Sequence, residues 1–179
     1  MNLKLTLASG CLALSLASIA AAENPTMQFA CDTPAGHYSS WSQSISAHGL
    51  EIEGKLKVNE LRKDKKWIPA AHIIVRAGQE DKSAYGISIF ALAKQPDVLF
   101  TQIVGDGDPE PIGPLGGMLP RTSEPIAFKL KLDATGALTV NVGGGESTAR
   151  IGAIKASTLE LNCSTVDIEF IDVRLTTID

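Results

Sequence analysis

Alternating apolar and polar residues around one tight turn constrain the fold of this chain most. Residues 126–132 and 138–142 carry apolar side chains at every second position, and Asp133-Ala134-Thr135-Gly136 separates the two runs. A period of two is typical of a strand with one buried face, and an Asp–Gly turn between two such runs is a strong hairpin signal. We therefore predict an antiparallel β-hairpin here, ended by a turn at Gly143-Gly144-Gly145.

Similar runs predict further strands along the chain. Residues 50–58 alternate without a slip, which predicts one buried face. Residues 71–75 and 85–92 are richer in Ile, Val, Tyr and Phe, as strands buried on both faces are. Two more strands are predicted at 98–104 and 158–163.

The terminal run changes phase. Val166, Ile168 and Phe170 share one parity, and residues 171, 173 and 175 share the other. A β-bulge at Phe170–Ile171 would keep both sets facing the core. Roughly ten short strands with Gly and Pro between them, and no long helical period, predict an all-β fold. We expect a single antiparallel, jelly-roll-like β-sandwich over residues 23–179.

Residues 1–22 predict export. Lys4 precedes an apolar stretch over residues 5–19, and Ala20-Ala21-Ala22 forms a small-residue cleavage site, which together are typical of a secretory signal peptide. The alternative is a lipoprotein box ending at Cys11. The longest apolar run follows Cys11 instead of preceding it, which favours cleavage after Ala22 and a periplasmic or secreted protein without a membrane span.

Two cysteines remain in the mature chain. Cleavage leaves 157 of the 179 residues, with Cys31 and Cys163 lying 132 positions apart. An exported chain with an even pair favours a disulfide, which in the chain-entropy model would stabilise the fold by about 4–5 kcal/mol. The alternative is two separately buried thiols. A disulfide would place the first and last strands side by side.

Charge and motif content exclude several functions. The net charge of −4 becomes −5 once Lys4 is removed, which argues against nucleic-acid binding. The basic run 62–66 contains an acid and is typical of a solvated turn. The three histidines show no metal-ligand spacing, and nucleophile elbows and nucleotide-binding glycine loops are absent. We therefore predict no catalytic residues and no cofactor, apart from the calcium considered below.

The hairpin and the last strand resemble a known family. Phe128-Lys129-Leu130-Lys131-Leu132, the returning residues 138–142 and the terminal Phe170-Ile171-Asp172-Val173-Arg174-Leu175 are similar to the C-terminal half of concanavalin A-like lectin and glucanase sandwiches. Laminin-G-like and carbohydrate-binding modules of that superfamily often end on such a strand. The resemblance covers about residues 126–175 and implies a fold more than a function.

The segment 105–124 is expected to be a long irregular loop, and such loops are often functional. Asp106, Asp108 and Glu110 place three carboxylates at alternate positions, which could hold Ca²⁺. The alternative is a solvated acidic turn stiffened by prolines. Leu115 and Met118 give the loop an apolar tip that could contact a ligand or a protein partner.

The tryptophans are the other candidate ligand-binding residues. Trp41, with Tyr38 nearby, and Trp67 could each stack on a sugar ring, since aromatic faces bind the apolar faces of sugars. In the alternative interpretation Trp41 belongs to the core and Trp67 closes one end of the sandwich.

Three functions follow from these patterns. The first is an exported, non-catalytic binding module, with glycan as one candidate ligand. The second is a secreted carbohydrate-active hydrolase using acids of the strand Asp167-Ile168-Glu169-Phe170-Ile171-Asp172 or of residues 105–110; a polar outer face on a terminal strand explains the same acids. The third is a periplasmic interaction or inhibitor protein that binds its partner through the Gly/Pro-rich loop.

Overall fold

The structure, a computed structural model, describes residues 26–78, 83–105 and 110–178, with the backbone alone for residues 110–116. The predicted signal peptide, residues 1–22, lies outside this part of the chain. Within the described ranges the chain forms strands and connections without a helix, and hence without any helix that could span a membrane.

Twelve strands make up the described fold. Their bounds are β1 Met27–Asp32, β2 Tyr38–Ala47, β3 Gly49–Leu61, β4 Ala70–Ala77, β5 Ala84–Leu92, β6 Gln95–Gly105, β7 Glu110–Pro120, β8 Ile126–Leu132, β9 Ala137–Val142, β10 Gly145–Arg150, β11 Ala156–Ser164 and β12 Val166–Ile178.

The strands form two antiparallel six-stranded sheets. Sheet A has the order β1-β12-β3-β8-β9-β10, and sheet B has the order β2-β11-β4-β5-β6-β7. The inner faces of the two sheets pack against each other through one continuous apolar core, which is the arrangement of a β-sandwich. The predicted all-β, jelly-roll-like sandwich is therefore confirmed.

The hairpin that dominates the sequence has its predicted form. β8 and β9 pair from Phe128 opposite Val142 to Leu132 opposite Leu138. In the turn, one carboxylate oxygen of Asp133 accepts the backbone N–H groups of Thr135 and Ala137, each at 2.9 Å. These hydrogen bonds, that from Ala137 above all, lower the pKa of Asp133. Gly136 has a φ of +83°, a conformation that glycine adopts without steric cost.

The disulfide is present between Cys31 and Cys163. Cys31 lies in β1 of sheet A and Cys163 in β11 of sheet B, so the bond joins the two layers of the sandwich across its core. The first and last strands are neighbours as predicted. Their adjacency comes from the β1–β12 ladder, in which Phe29 lies opposite Phe170, and the disulfide reaches the strand before the last one.

The bulge in β12 is displaced from its predicted position. The register with β3 shifts between Ile171 and Arg174, and Asp172 there has a φ of +52°. Phe170 and Val173 both enter the core. Ile171 lies opposite the outward-facing Lys55, so the expectation that Ile171 faces the core was wrong.

The expectation of a long irregular loop over residues 105–124 was wrong for residues 110–120. Residues 110–120 form β7, which pairs with β6 at the edge of sheet B. Three prolines in β7 are compatible with this position, because an edge strand has one side on which no N–H is needed. β2 and β10, edge strands whose residues are mostly exposed, were not predicted from the sequence.

Candidate functional site

The outer face of sheet B is unusual for a two-layer sandwich. In β4 and β5 almost every residue is buried, including those that point away from the core. Ile74, Ala84 and Val104 form a small buried cluster separate from the main core. On the edge strands of the same face, Tyr38 and Met118 are 68% and 69% exposed. Side chains on this face are therefore buried along the central strands and exposed along the two edge strands.

A row of polar side chains crosses this face. Asn162 of β11 lies opposite His72 of β4, His72 lies opposite Ser88 of β5, and Ser88 lies opposite Gln102 of β6. Because cross-strand partners share one face of a sheet, these four residues form a continuous band, which we call the polar row. Ser88 is only 6% exposed.

Two atoms of the polar row, one on each of two neighbouring residues, are buried without a hydrogen-bond partner. His72 Nδ1 and Asn162 Oδ1 accept or donate no hydrogen bond within the described residues. Burial lowers the pKa of His72 from 6.5 to about 4, so its ring is neutral at neutral pH, with one nitrogen as donor and the other as acceptor. An unpaired buried polar group costs about 1–3 kcal/mol. Two of them on adjacent strands therefore call for partners outside the described residues, such as ordered water, an ion or a ligand group.

An apolar row runs beside the polar row. The register places Ala70, Phe90, Phe100 and Met118 next to one another across β4 to β7. The rings of Phe90 and Phe100 stack with centroids 5.7 Å apart and planes 23° apart. We call Phe90, Phe100 and Met118 the aromatic row. Met118 is exposed, Phe90 is half-buried and Phe100 is only 5% exposed, so the accessible part of this row lies mainly at its Met118 end.

A pair of exposed aromatic rings stands at the β2 edge. Tyr38 and Trp67 lie nearly parallel, with centroids 6.2 Å and planes 11° apart, and Trp67 is 41% exposed. Tyr38 lies opposite Ser164, which is in turn opposite Ala70. The Tyr38–Trp67 pair therefore continues the line of the aromatic row on the far side of β11.

Local hydrogen bonds hold Trp67 in place. Asp64 Oδ1 accepts the backbone N–H groups of Lys66 at 2.8 Å and Trp67 at 3.0 Å, and these bonds lower the pKa of Asp64. Ser164 Oγ donates to the carbonyl of Ile68 at 3.1 Å. The β3–β4 connection is thus tied both to itself and to sheet B.

An apolar cavity of about 230 Å³ lies beside Trp67, between the β3–β4 connection and the β5–β6 turn. Ile68 and Leu92, which are 49% and 41% exposed, contribute to its walls. Exposed large apolar side chains grouped in this way often mark a contact surface.

The outer face of sheet A has a different character. Lys129 forms an ion pair with Glu51 at 2.5 Å, and a depression of about 470 Å³ is lined mainly by charged and amide side chains, among them Glu53, Asp172 and Arg174. Mixed charges of this kind are typical of a solvated surface.

The acids of the last strand also lie on sheet A. Asn59 Nδ2 donates to Asp167 at 3.3 Å and to Glu169 at 2.9 Å, whereas Asp172 lies at the bulge and lines the depression just described. The three acids are therefore on the opposite side of the sandwich from the polar row, and one amide binds two of them.

The four predicted ligand-binding residues do not lie together in one site. Trp67 and Met118 lie on the outer side of sheet B, whereas Trp41 is half-buried and packs against the core. Tyr38, which the sequence places near Trp41, stacks on Trp67. Leu115 is described by its backbone in β7, where it lies opposite Gln102.

The calcium prediction falls largely on residues outside the described chain. Asp106 and Asp108 are not described, and of Glu110 only the backbone is, at the start of β7. Among the described residues, no three His, Cys, Asp or Glu side chains come together as a metal site.

Sequence reasoning missed the polar row. Its signal is present in Ala70-Ala71-His72-Ile73-Ile74-Val75, where one histidine interrupts a strand predicted to be buried on both faces. A polar residue in such a strand must either find a partner or serve a ligand. Ser88 in the next strand carries the same signal.

No protein-family model matches this chain. No curated protein matches it either. Solved structures do match its fold. A carbohydrate-binding module, CBM66 from Bacillus subtilis, superposes with a TM-score of 0.56 at 13% identity, over 86% of this chain and 100% of that one. The alginate lyase Aly36B, solved with an alginate tetrasaccharide, gives 0.58 at 9% identity, over 86% and 81%.

An alginate lyase from Pseudomonas aeruginosa gives a TM-score of 0.52 at 13% identity, over 73% of this chain. The match spans 65% of the length of that lyase. The fold shared with these structures is a two-sheet antiparallel β-sandwich. At these identities the likeness establishes the fold alone, in agreement with the resemblance of residues 126–175.

Proposed function

We propose that this protein is an exported glycan-binding module whose contact surface is the outer face of sheet B. The observation that carries the proposal is the pair of buried, unpartnered atoms, His72 Nδ1 and Asn162 Oδ1, next to the stacked rings of Phe90 and Phe100. A sugar presents hydroxyl groups around its rim and C–H groups on its faces. The polar row matches the first and the aromatic row matches the second.

The Tyr38–Trp67 pair extends this surface. Its two rings are exposed and nearly parallel, so a second sugar ring of the same oligosaccharide has an aromatic surface to lie on. Ser40 of β2, opposite Asn162, adds an exposed hydroxyl between the two aromatic regions. The face therefore suits a short chain of sugars better than a single one.

Export is part of the proposal. The stretch over residues 1–22 has the composition of a signal peptide, and the Cys31–Cys163 disulfide is of a kind that persists in oxidising compartments. The carbohydrate-binding module that shares the fold supports glycan as the ligand.

Glycan-array screening of the mature chain, followed by calorimetry on the best oligosaccharide, tests the proposal. Trp67→Ala and Asn162→Leu should each weaken binding about tenfold or more, equivalent to about 1.4 kcal/mol. Asn141→Ala, on the sheet A depression, is the matched control and should bind as the wild type does. Absence of any glycan ligand, or loss of binding in the control alone, would contradict the proposal.

The same material tests the hydrolase alternative. The proposal predicts that the array ligand is recovered intact after prolonged incubation. Cleavage that disappears in Glu169→Gln would instead assign activity to the acids on sheet A.

A further inference from the structure

The charges around Trp67 are not balanced. The β3–β4 connection contains Arg62-Lys63-Asp64-Lys65-Lys66 directly before Trp67. Arg62 is paired with Asp32 at 2.6 Å and with Glu60 at 3.0 Å. The carboxylate of Asp64 accepts two backbone N–H groups and keeps one negative charge, which interacts with Lys66.

Three further lysines lie in this connection. Lys63, Lys65 and Lys66 are exposed, and within the described chain none of them forms an ion pair. Lys63 lines the cavity beside Trp67, and Lys65 and Lys66 directly precede Trp67 in the chain. The whole chain carries a net charge of −4, but charges farther away than about 8–10 Å are largely screened at physiological salt. A ligand at Trp67 therefore meets a locally positive surface.

Aromatic rings beside unpaired ammonium groups select a particular ligand. The rings favour the apolar face of a sugar, and the lysines favour an anionic group repeated along the ligand. A neutral glycan would leave the lysines without partners, and an acidic peptide would lack the flat C–H faces that match two nearly parallel rings. A polysaccharide built from uronic acids carries both features on every residue.

We propose that the Tyr38–Trp67 pair together with Lys63, Lys65 and Lys66 binds a carboxylated, uronate-containing polysaccharide. This inference rests on the proposed glycan-binding function and names its substrate class.

Polygalacturonate and its fully methyl-esterified form provide matched probes, because they share one sugar backbone and differ in charge. Calorimetry at about 50 mM salt should show wild-type protein binding the acid form at least about tenfold more tightly. Raising the salt to about 500 mM, where the Debye length falls below about 5 Å, should remove most of that difference.

Two triple variants separate local recognition from general attraction. Lys63→Gln/Lys65→Gln/Lys66→Gln should bind the two polymers equally, whereas the control Lys55→Gln/Lys131→Gln/Lys155→Gln, with the same change in net charge on exposed sites elsewhere, should keep the tenfold difference. Trp67→Ala should lose affinity for both polymers.

Equal wild-type affinity for the two polymers would overturn the inference while leaving the proposed glycan binding intact. Equal losses in the two triple variants would also overturn it, because the attraction would then be general. If neither polymer is bound, the inference is wrong, and the glycan array decides separately whether the proposed function stands.

Discussion

The two outer faces of this sandwich share one core and differ in almost everything else. On sheet A, β3 and β8 bury alternate residues and expose Lys and Glu between them. On sheet B, the outward residues of β4 and β5 are buried as well. The first pattern is what solubility requires of a surface. The second leaves the exposed large apolar side chains of this face at its edges, for example Tyr38 and Met118, and grouped exposed apolar side chains often mark a contact surface.

The polar groups on the two faces also differ in whether they find hydrogen-bond or ion-pair partners. On sheet A, Asn59 binds Asp167 and Glu169, and Lys129 binds Glu51, so polar groups there find partners in the solvated surface itself. On sheet B, His72 and Asn162 keep atoms that no described residue satisfies. This contrast locates the candidate site more firmly than fold likeness does, because one fold can carry many unrelated functions.

The largest expected effect concerns close packing of the central strands of sheet B. A Cβ on Gly86 would lie 1.9 Å from the carbonyl oxygen of Ile73, which is backbone and cannot move aside. Gly86→Ala should therefore lower the free energy of unfolding by about 3 kcal/mol or more, measured by urea denaturation. Gly117→Ala, whose Cβ would meet Thr101 Oγ1 at 3.4 Å, should cost less than about 1 kcal/mol. Similar losses in both variants would show that β4 and β5 are packed no more tightly than the edge of the sheet.

The next effect is a decline in stability between pH 6.5 and 4 that the buried His72 of sheet B should produce. Burial lowers the pKa of His72 from 6.5 to about 4, so the unfolded chain takes up a proton first as the pH falls. The contribution of the neutral His72 to the free energy of unfolding is fully present above pH 6.5. It should decline by about 3 kcal/mol between pH 6.5 and 4. His72→Gln should remove this decline from chemical denaturation curves. The exposed His48→Gln should retain it, and a wild-type curve that is flat over this range would contradict the burial of a neutral histidine.

Much of the architecture follows from periodicity in the sequence. Strict alternation in residues 50–58 predicts a strand with one solvated face, and near-continuous apolar runs at 71–75 and 85–92 predict burial on both faces. The structure confirms both. These patterns are local, because each residue's side of the strand is set by its parity.

Features that depend on neighbours in space were not predictable in the same way. The residues of β7 contain three prolines and several glycines, which is typical of a loop, yet an edge position in sheet B accommodates them as a strand. The sequence predicts the bulge of β12 at Phe170–Ile171, but the register with β3 shifts after Ile171. That register depends on the pairing with β3, which the composition of β12 alone does not contain.

The candidate site was predictable only in part. The sequence predicts Trp67 as a candidate sugar-stacking residue, but its partner Tyr38 comes from a strand that is distant in sequence. The polar row requires the registers of four strands at once. No single segment contains that information, although His72 inside an apolar strand is the position where it could have been sought.

The smallest expected effects come from the ion pairs of the two faces. Arg76 Nε donates to Glu160 at 2.5 Å on sheet B, where the two side chains are 40% and 19% exposed. After solvent screening, Arg76→Gln should lower stability by at most about 1 kcal/mol. Lys129→Gln breaks the pair with Glu51 on sheet A, and we expect no resolvable change in melting temperature, because water replaces the lost partner on a solvated face. Thermal denaturation of both variants at low and high salt measures the difference. A larger loss for Lys129→Gln than for Arg76→Gln would mean that the charges of sheet A are structural, and the contrast between the two faces would no longer support sheet B as the contact surface.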